Sequence, residues 1–272
     1  MDERDRRPPG AAGHLRLLLL VAVLAAGCGA ADREGGTAGT ASTTVTPTTA
    51  AAPAKPCLRG VASATAVRFT GGGGATLVGV VLGRGRTGLV LAHQVGSDLC
   101  EWLPQAQTFA EHGYRVLAFD FAGYGDSQPG AGPDARVDGD VVAAAGQLRR
   151  RGADSIVLIG SSMGGTAVLS AAARIRPPVA GVVSLSGPAT FPGVDAGAAV
   201  AQLRVPVLLV AAADDHPFVD DARALYRAAP TRDKRLLVIP GGGHGTSLLV
   251  FGADAPKVAA AVRRFIADHA RG

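Results

Sequence analysis

The chain of 272 residues predicts an α/β domain, with a mostly parallel sheet covered by helices on both faces. Two observations carry that prediction. Short, nearly unbroken runs of Val, Ile and Leu, such as those within 89–93, 155–159, 179–185 and 205–211, alternate with longer segments of helical character. A strand that is apolar at almost every position is buried on both faces, as happens when a parallel sheet lies between two helical layers.

The elements follow in order. Strands over 66–70 and 76–82 are joined by the glycines of 71–74 and read as a hairpin. A strand over 89–93, a helix over 99–112 and a strand over 115–120 come next. A helix over 135–151 ends in Arg149-Arg150-Arg151, where cations suit the helix macrodipole. The strand over 155–159 leads into a helix over 163–174, and further strands span 179–185 and 205–211 with a short Gly/Ala-rich connection between them. A helix over 222–229, a strand over 234–239 and a helix over 256–270 complete the domain. Ligands of such sheets bind outside the carboxyl ends of the strands, so chemistry is expected there.

Residues 160–165 read Gly-Ser-Ser-Met-Gly-Gly directly after an apolar strand. A side chain presented at the tip of a sharp strand-to-helix turn needs nearly side-chain-free neighbours two residues before and after it. Gly160 and Gly164 hold those positions around Ser162, and Gly165 leaves room for the helix to pack closely. Ser161 fits less well, because Ile159 stands two residues before it.

A serine hydroxyl needs a base, and the base needs an acid to orient it. Of the 6 histidines, His216 is too near Asp215 in sequence to hold that geometry, and His269 ends the last helix. His244 lies in Pro240-Gly241-Gly242-Gly243-His244-Gly245, a loop beyond the last strand that lets an imidazole reach across. The acid is Asp215, with Asp214 as the alternative, both beyond the strand starting near Pro206. An oxyanion needs fixed donors. The backbone N–H of Met163 at a helix start and that of Gln94 after the strand over 89–93 are the candidates.

With these residues the chain resembles the α/β-hydrolase family over residues 60–270. The likeness rests on the elbow Gly160-Ser161-Ser162-Met163-Gly164, on His244 between glycines, on Asp215, and on His93-Gln94 where the family usually has His-Gly. Asp120-Phe121-Ala122-Gly123-Tyr124-Gly125-Asp126-Ser127 looks like the family's D-x-x-G-x-G-x-S turn, which is mainly structural. The resemblance implies an eight-stranded, mostly parallel sheet and hydrolysis of esters, thioesters, lactones or amides without a cofactor. Gln94 departs from the family's glycine and puts a side chain at the oxyanion site. The connection from 185 to 205 is too short for a large cap domain, as in the small dienelactone-hydrolase-like and general esterase members.

The ends carry an address. Arg4, Arg6, Arg7 and Arg16 precede an apolar run over 17–26 that is short for a membrane span of about 20 residues. Leu24-Ala25-Ala26-Gly27-Cys28 resembles a bacterial lipobox, which implies a signal peptide over 1–27 and lipidation of Cys28. Residues 28–56, rich in Ala, Thr, Gly and Pro, have no apolar periodicity and read as a disordered tether to a membrane, with the hydrolase domain over 57–272. Of the 3 cysteines, Cys57 and Cys100 remain and form a pair suited to an oxidising space outside the cytoplasm.

Composition excludes other classes. The formal net charge of +5 falls to +4 without residues 1–27, which carry four Arg against three acidic residues, and the cations are scattered. Nucleic acid is therefore not an expected partner. No C-x-x-C or other metal-ligand spacing is present, so no metal is expected, and the resemblance to the hydrolase family implies no cofactor. The expected activity is hydrolysis of a small-molecule carboxylic ester. A cell-envelope acyltransferase with the same triad and a non-catalytic binding protein are the alternatives. Trp102, Phe121, Tyr124, Phe191 and Phe218 are the aromatic residues available to a pocket.

Overall fold

The computed structural model describes residues 55–61 and 63–270. The expected signal peptide, Cys28 and the tether up to residue 54 lie outside them. Strands β1 (Thr65–Thr70) and β2 (Thr76–Leu82) form the antiparallel hairpin, closing with Thr70 opposite Thr76. Strands β3 (Thr87–Ala92), β4 (Arg115–Phe119), β5 (Ser155–Ser161) and β6 (Gly181–Leu185) follow. Strands β7 (Thr190–Phe191) and β8 (Val194–Asp195) make a separate small pair. Strands β9 (Val207–Ala212) and β10 (Lys234–Ile239) complete the main sheet. Its 8 strands run in the order β1-β2-β4-β3-β5-β6-β9-β10. β2 is antiparallel to both of its neighbours, and every pairing from β4 through β10 is parallel.

Alternate residues of the central strands feed two cores. Leu89 and Leu91 of β3 and Val157 and Ile159 of β5 pack with helices α1 (Leu103–Glu111) and α6 (Ala255–His269). Val90, Ala92, Ile156 and Leu158 face the other way, against α2 (Val137–Arg150) and α3 (Met163–Arg174). Burial on both sides is why these strands are apolar throughout. The short α4 (Ala196–Val200) and α5 (Phe218–Ala228) also contribute to the α2–α3 side.

Several boundaries differ from those expected, each for a physical reason. The helix expected over 99–112 is a 3₁₀ turn, Leu99–Trp102, running into α1, with Pro104 in the first turn of α1 where its missing N–H costs nothing. β9 starts after Pro206, which has no N–H for the ladder, although its carbonyl accepts from Val182 N at 3.0 Å. Helix α5 begins at Phe218 rather than 222, since Asp220 and Asp221 suit the positive end of its dipole. Between β6 and β9 lie only the β7–β8 pair and the 5 residues of α4, so no large cap covers the carboxyl ends of the strands.

The packed domain reaches back to Lys55, two residues before the expected boundary. Lys55 is 8% exposed, and its ammonium lies 2.8 Å from Asp98 and 3.1 Å from the fully buried Asp120. Cys57 and Cys100 are joined by a disulfide, with Cα atoms 5.9 Å apart. Together they fix the beginning of the domain to the turn ahead of α1.

Candidate active site

Ser162 stands at the junction of β5 and α3 with φ 50° and ψ −117°, a left-handed conformation that L-residues rarely adopt. Such strain costs about 1–3 kcal/mol and persists only where the surroundings enforce it. Here the Ser162 N–H donates to the Leu185 carbonyl at 2.8 Å, fixing the turn to β6. The flanking glycines are required by contact as well as by conformation. A Cβ on Gly160 would run into the Gly164 carbonyl, and one on Gly164 into the Ala92 carbonyl. Ser161 is turned the other way. Its hydroxyl donates to Gln94 Oε1 and accepts the Thr246 N–H, both at 3.1 Å.

His244 follows β10 and leads the 3₁₀ turn Gly245–Leu249. Its backbone N–H donates to Ser247 Oγ at 2.8 Å, and that hydroxyl donates back to the His244 carbonyl at 2.8 Å, which holds the loop. Its Nδ1 lies 3.0 and 3.1 Å from the two oxygens of Asp215. Of the two candidate carboxylates, Asp215 is the one against the imidazole, while Asp214 is exposed. With the Nδ1 proton directed at Asp215, Nε2 is left as the basic nitrogen. The Phe218 ring packs on the imidazole with centroids 4.3 Å apart. Among the described residues, Ser162 Oγ has no hydrogen-bond partner; bonds of this type often tighten only with substrate in place.

The oxyanion side departs from expectation. Met163, the first residue of α3, has its backbone N–H free of any partner among the described residues, at the positive end of the helix. The N–H of Gln94, the other expected donor, is instead taken by Glu101 Oε2 at 3.2 Å. The physical reason is the turn ahead of α1, which brings a half-buried carboxylate under the loop and supplies the acceptor that the amide would otherwise lack. The next amide in that loop, on Val95, makes no backbone hydrogen bond to a described residue. Gln94's side chain lies against Ser161 and Gly245, so it braces the two loops together.

His93 holds this loop from below. It is fully buried, its Nε2 accepts the Phe121 N–H at 3.1 Å, and its Nδ1 donates to the Gln94 carbonyl at 2.7 Å. That pattern needs a neutral ring, and burial pushes the His93 pKa down. Phe121 and Tyr124 stack edgewise on it at 5.0 and 5.3 Å. Of the other aromatic candidates, Trp102 is completely buried and Phe191 sits half-buried on β7.

Glu101 and Ser247 were not singled out from sequence. The only local signal for Glu101 is a carboxylate between Cys100 and Trp102 at the start of an apolar helix face. Among the described residues no group of His, Cys, Asp or Glu side chains is arranged to hold a metal ion.

Comparison with known proteins agrees with this architecture. The sequence profile of the alpha/beta hydrolase fold matches residues 87–203. No curated protein sequence matches the chain. Among solved structures, an esterase of Pyrococcus furiosus is similar with a TM-score of 0.65 and 18% identity, over 76% of this chain and 93% of that one. An esterase from Rhodococcus gives 0.62 and 20%, over 75% and 99%. A dienelactone hydrolase from Anabaena variabilis gives 0.60 and 21%, over 77% and 100%. Strand order, two-sided helical packing and these likenesses agree: the chain has the α/β-hydrolase fold.

Proposed function

We propose that the protein is a serine hydrolase that cleaves carboxylic esters, thioesters or lactones through an acyl-enzyme. The observation that carries this reading is the strained serine at the end of β5 on the same sheet edge as a His244–Asp215 pair. Ser162 Oγ attacks the carbonyl carbon while its proton passes to His244 Nε2, and Asp215 stabilises the imidazolium that results. The Met163 amide and a free amide of the 94–95 loop receive the developing oxyanion, each such donor contributing on the order of 3 kcal/mol. The carbon–oxygen bond to the alcohol breaks as His244 returns its proton to the departing oxygen. Water then repeats the sequence, with His244 as base, and releases the acid and free Ser162. Esterases, a monoacylglycerol lipase and a dienelactone hydrolase among the similar folds support the ester class.

The test is labelling by a fluorophosphonate probe together with turnover of p-nitrophenyl butyrate. Both are expected in the natural protein and absent in Ser162→Ala. Labelling that persists in that variant refutes the assignment. We also read residues 1–27 as a lipoprotein signal that leaves Cys28 lipidated and the domain outside the cytoplasm, and a disulfide suits that compartment. Incorporation of labelled palmitate that survives Cys28→Ala would overturn this reading.

A further inference from the structure

Three arginines that are far apart in the sequence meet at the end of the sheet opposite the candidate triad. Arg84 follows β2, Arg115 opens β4 and Arg151 follows α2. β4 starts at this end and runs parallel to β3, as β5 does, so a strand's length separates the arginines from Ser162 at the carboxyl end of β5. With the hydroxyl residues Ser63 and Thr65 they line a concavity of about 540 Å³. This is within the range of small-molecule sites. Two features set it apart from an ordinary solvated surface.

The first is the way the charges are held. Arg115 is half-buried, and its guanidinium bridges the two flanking loops. One nitrogen donates to the Arg84 carbonyl at 2.9 Å, and another lies beside Gly152, shielded from solvent and without a hydrogen-bond partner. That shielded nitrogen cannot itself touch a ligand, but it fixes a positive charge between Arg84 and Arg151, whose side chains are exposed. The second feature is the missing counter-charge. Among the described residues none of the three guanidiniums is paired with a carboxylate. Asp154, the acidic residue of the loop that follows Arg151, is paired with Arg86 instead. Like charges gathered around one concavity repel each other, and a partly buried one is screened little by salt. A bound anion relieves that repulsion, and a neutral ligand does not.

We propose that this concavity binds a phosphate monoester, held by Arg84 and Arg151 over the fixed charge of Arg115, with the Ser63 and Thr65 hydroxyls meeting the polar group that the phosphate carries. Phosphate is the matching class on charge and on shape. A monoester carries about two negative charges at neutral pH and has oxygens enough for two guanidinium forks. A carboxylate has one charge and two oxygens, which a single fork satisfies. The volume leaves room beside the phosphate for a small hydroxylated group. The proposal is independent of the hydrolase reading, because Ser162, Asp215 and His244 do not line the concavity. Soluble phosphate esters and the headgroup of a phosphatidate lipid offer the same chemistry.

The experiment is calorimetric titration of the full-length protein in neutral detergent at low salt and pH 7.5. The ligands are sn-glycerol 3-phosphate, dihexanoyl phosphatidate and lactate. One equivalent of phosphate ester is expected to bind with a dissociation constant below about 1 mM, at least about tenfold tighter than lactate. Arg84→Gln and Arg151→Gln, at exposed side chains on which no described contact depends, should each weaken it by about tenfold, the value of a charge-assisted hydrogen bond. Arg232→Gln removes the same charge from an exposed position elsewhere and should change it less than twofold. Tighter binding of the phosphatidate supports the site with a lipid headgroup as its source, and tighter binding of glycerol 3-phosphate supports it with a soluble ester. Absence of binding by both phosphates at about 10 mM overturns the proposal. So does lactate binding as tightly, or an affinity that Arg84→Gln and Arg151→Gln leave unchanged. Equal weakening by Arg232→Gln also overturns it, since net charge alone would then account for the binding.

Discussion

Asp140 should make the fold less stable as pH rises from 4 to 7.5, and replacing it with Asn should remove that dependence. The carboxyl is 1% exposed and accepts two backbone N–H groups, from Gly72 at 2.8 Å and Ala122 at 2.9 Å. It thereby ties the β1–β2 turn to the loop that carries Phe121 and Tyr124 onto His93. Burial outweighs those two bonds, and Asp138 nearby adds to it, so its pKa is raised from 3.8 to about 6. The folded form therefore binds the proton more tightly than the unfolded chain does. Its contribution to stability is fully present below pH 3.8 and is lost as pH climbs through about 6. At about 1.36 kcal/mol per pKa unit the whole effect is about 3 kcal/mol, of which about 2.5 falls between pH 4 and 7.5. Urea unfolding of the natural protein and of Asp140→Asn at both pH values isolates it, because every other titrating group cancels in the difference. The variant should gain about 2.5 kcal/mol relative to the natural protein on going from pH 4 to 7.5, whatever constant offset its altered hydrogen bonds impose. A difference that stays flat between the two pH values refutes the reasoning.

Two further outcomes follow from the same contacts. Ser161→Ala should destabilise the fold by about 1–3 kcal/mol in urea unfolding, because the Thr246 N–H loses its acceptor. The folded variant should still label with a fluorophosphonate, and loss of labelling there would move the nucleophile from Ser162 to Ser161. Replacing Cys57 and Cys100 by Ser opens a loop of sequence separation 43, which chain entropy values at about 4 kcal/mol, or roughly 10 °C in thermal midpoint. A midpoint unchanged within about 2 °C would mean that the unfolded chain is already held together there.

The fold and the core of the site were legible for identifiable reasons. Gly160, Gly164 and the apolar run before them announce a strand that ends in a tight turn, since few other arrangements need glycine on both sides of one serine. His244 stood out by its glycine-flanked loop. Asp215 was preferred to Asp214 by its distance from Pro206, and the contact with His244 Nδ1 falls on that same residue. The fate of the Gln94 amide was not legible at all. It depends on how the Leu99–Trp102 turn swings Glu101 beneath the loop, and no local pattern encodes that angle. Lys55 was missed for a similar reason. Its partners Asp98 and Asp120 are far along the chain, and a lysine that follows an Ala/Thr/Pro-rich stretch reads as solvated until a buried carboxylate is seen beside it.

The Cys57–Cys100 bond has a mechanical meaning. Any pull on the chain from its N-terminal side reaches the domain at Lys55 and Cys57 and passes covalently to Cys100, one residue before Glu101. Strands β1 to β3 lie inside the bridged loop, so tension bypasses them and the sheet edge is spared peeling. The load falls instead on the short turn whose carboxylate holds the Gln94 loop. Traction from that side is thus delivered to the turn that braces the Gln94 loop, and the bond that spares the sheet edge becomes a lever on the candidate site.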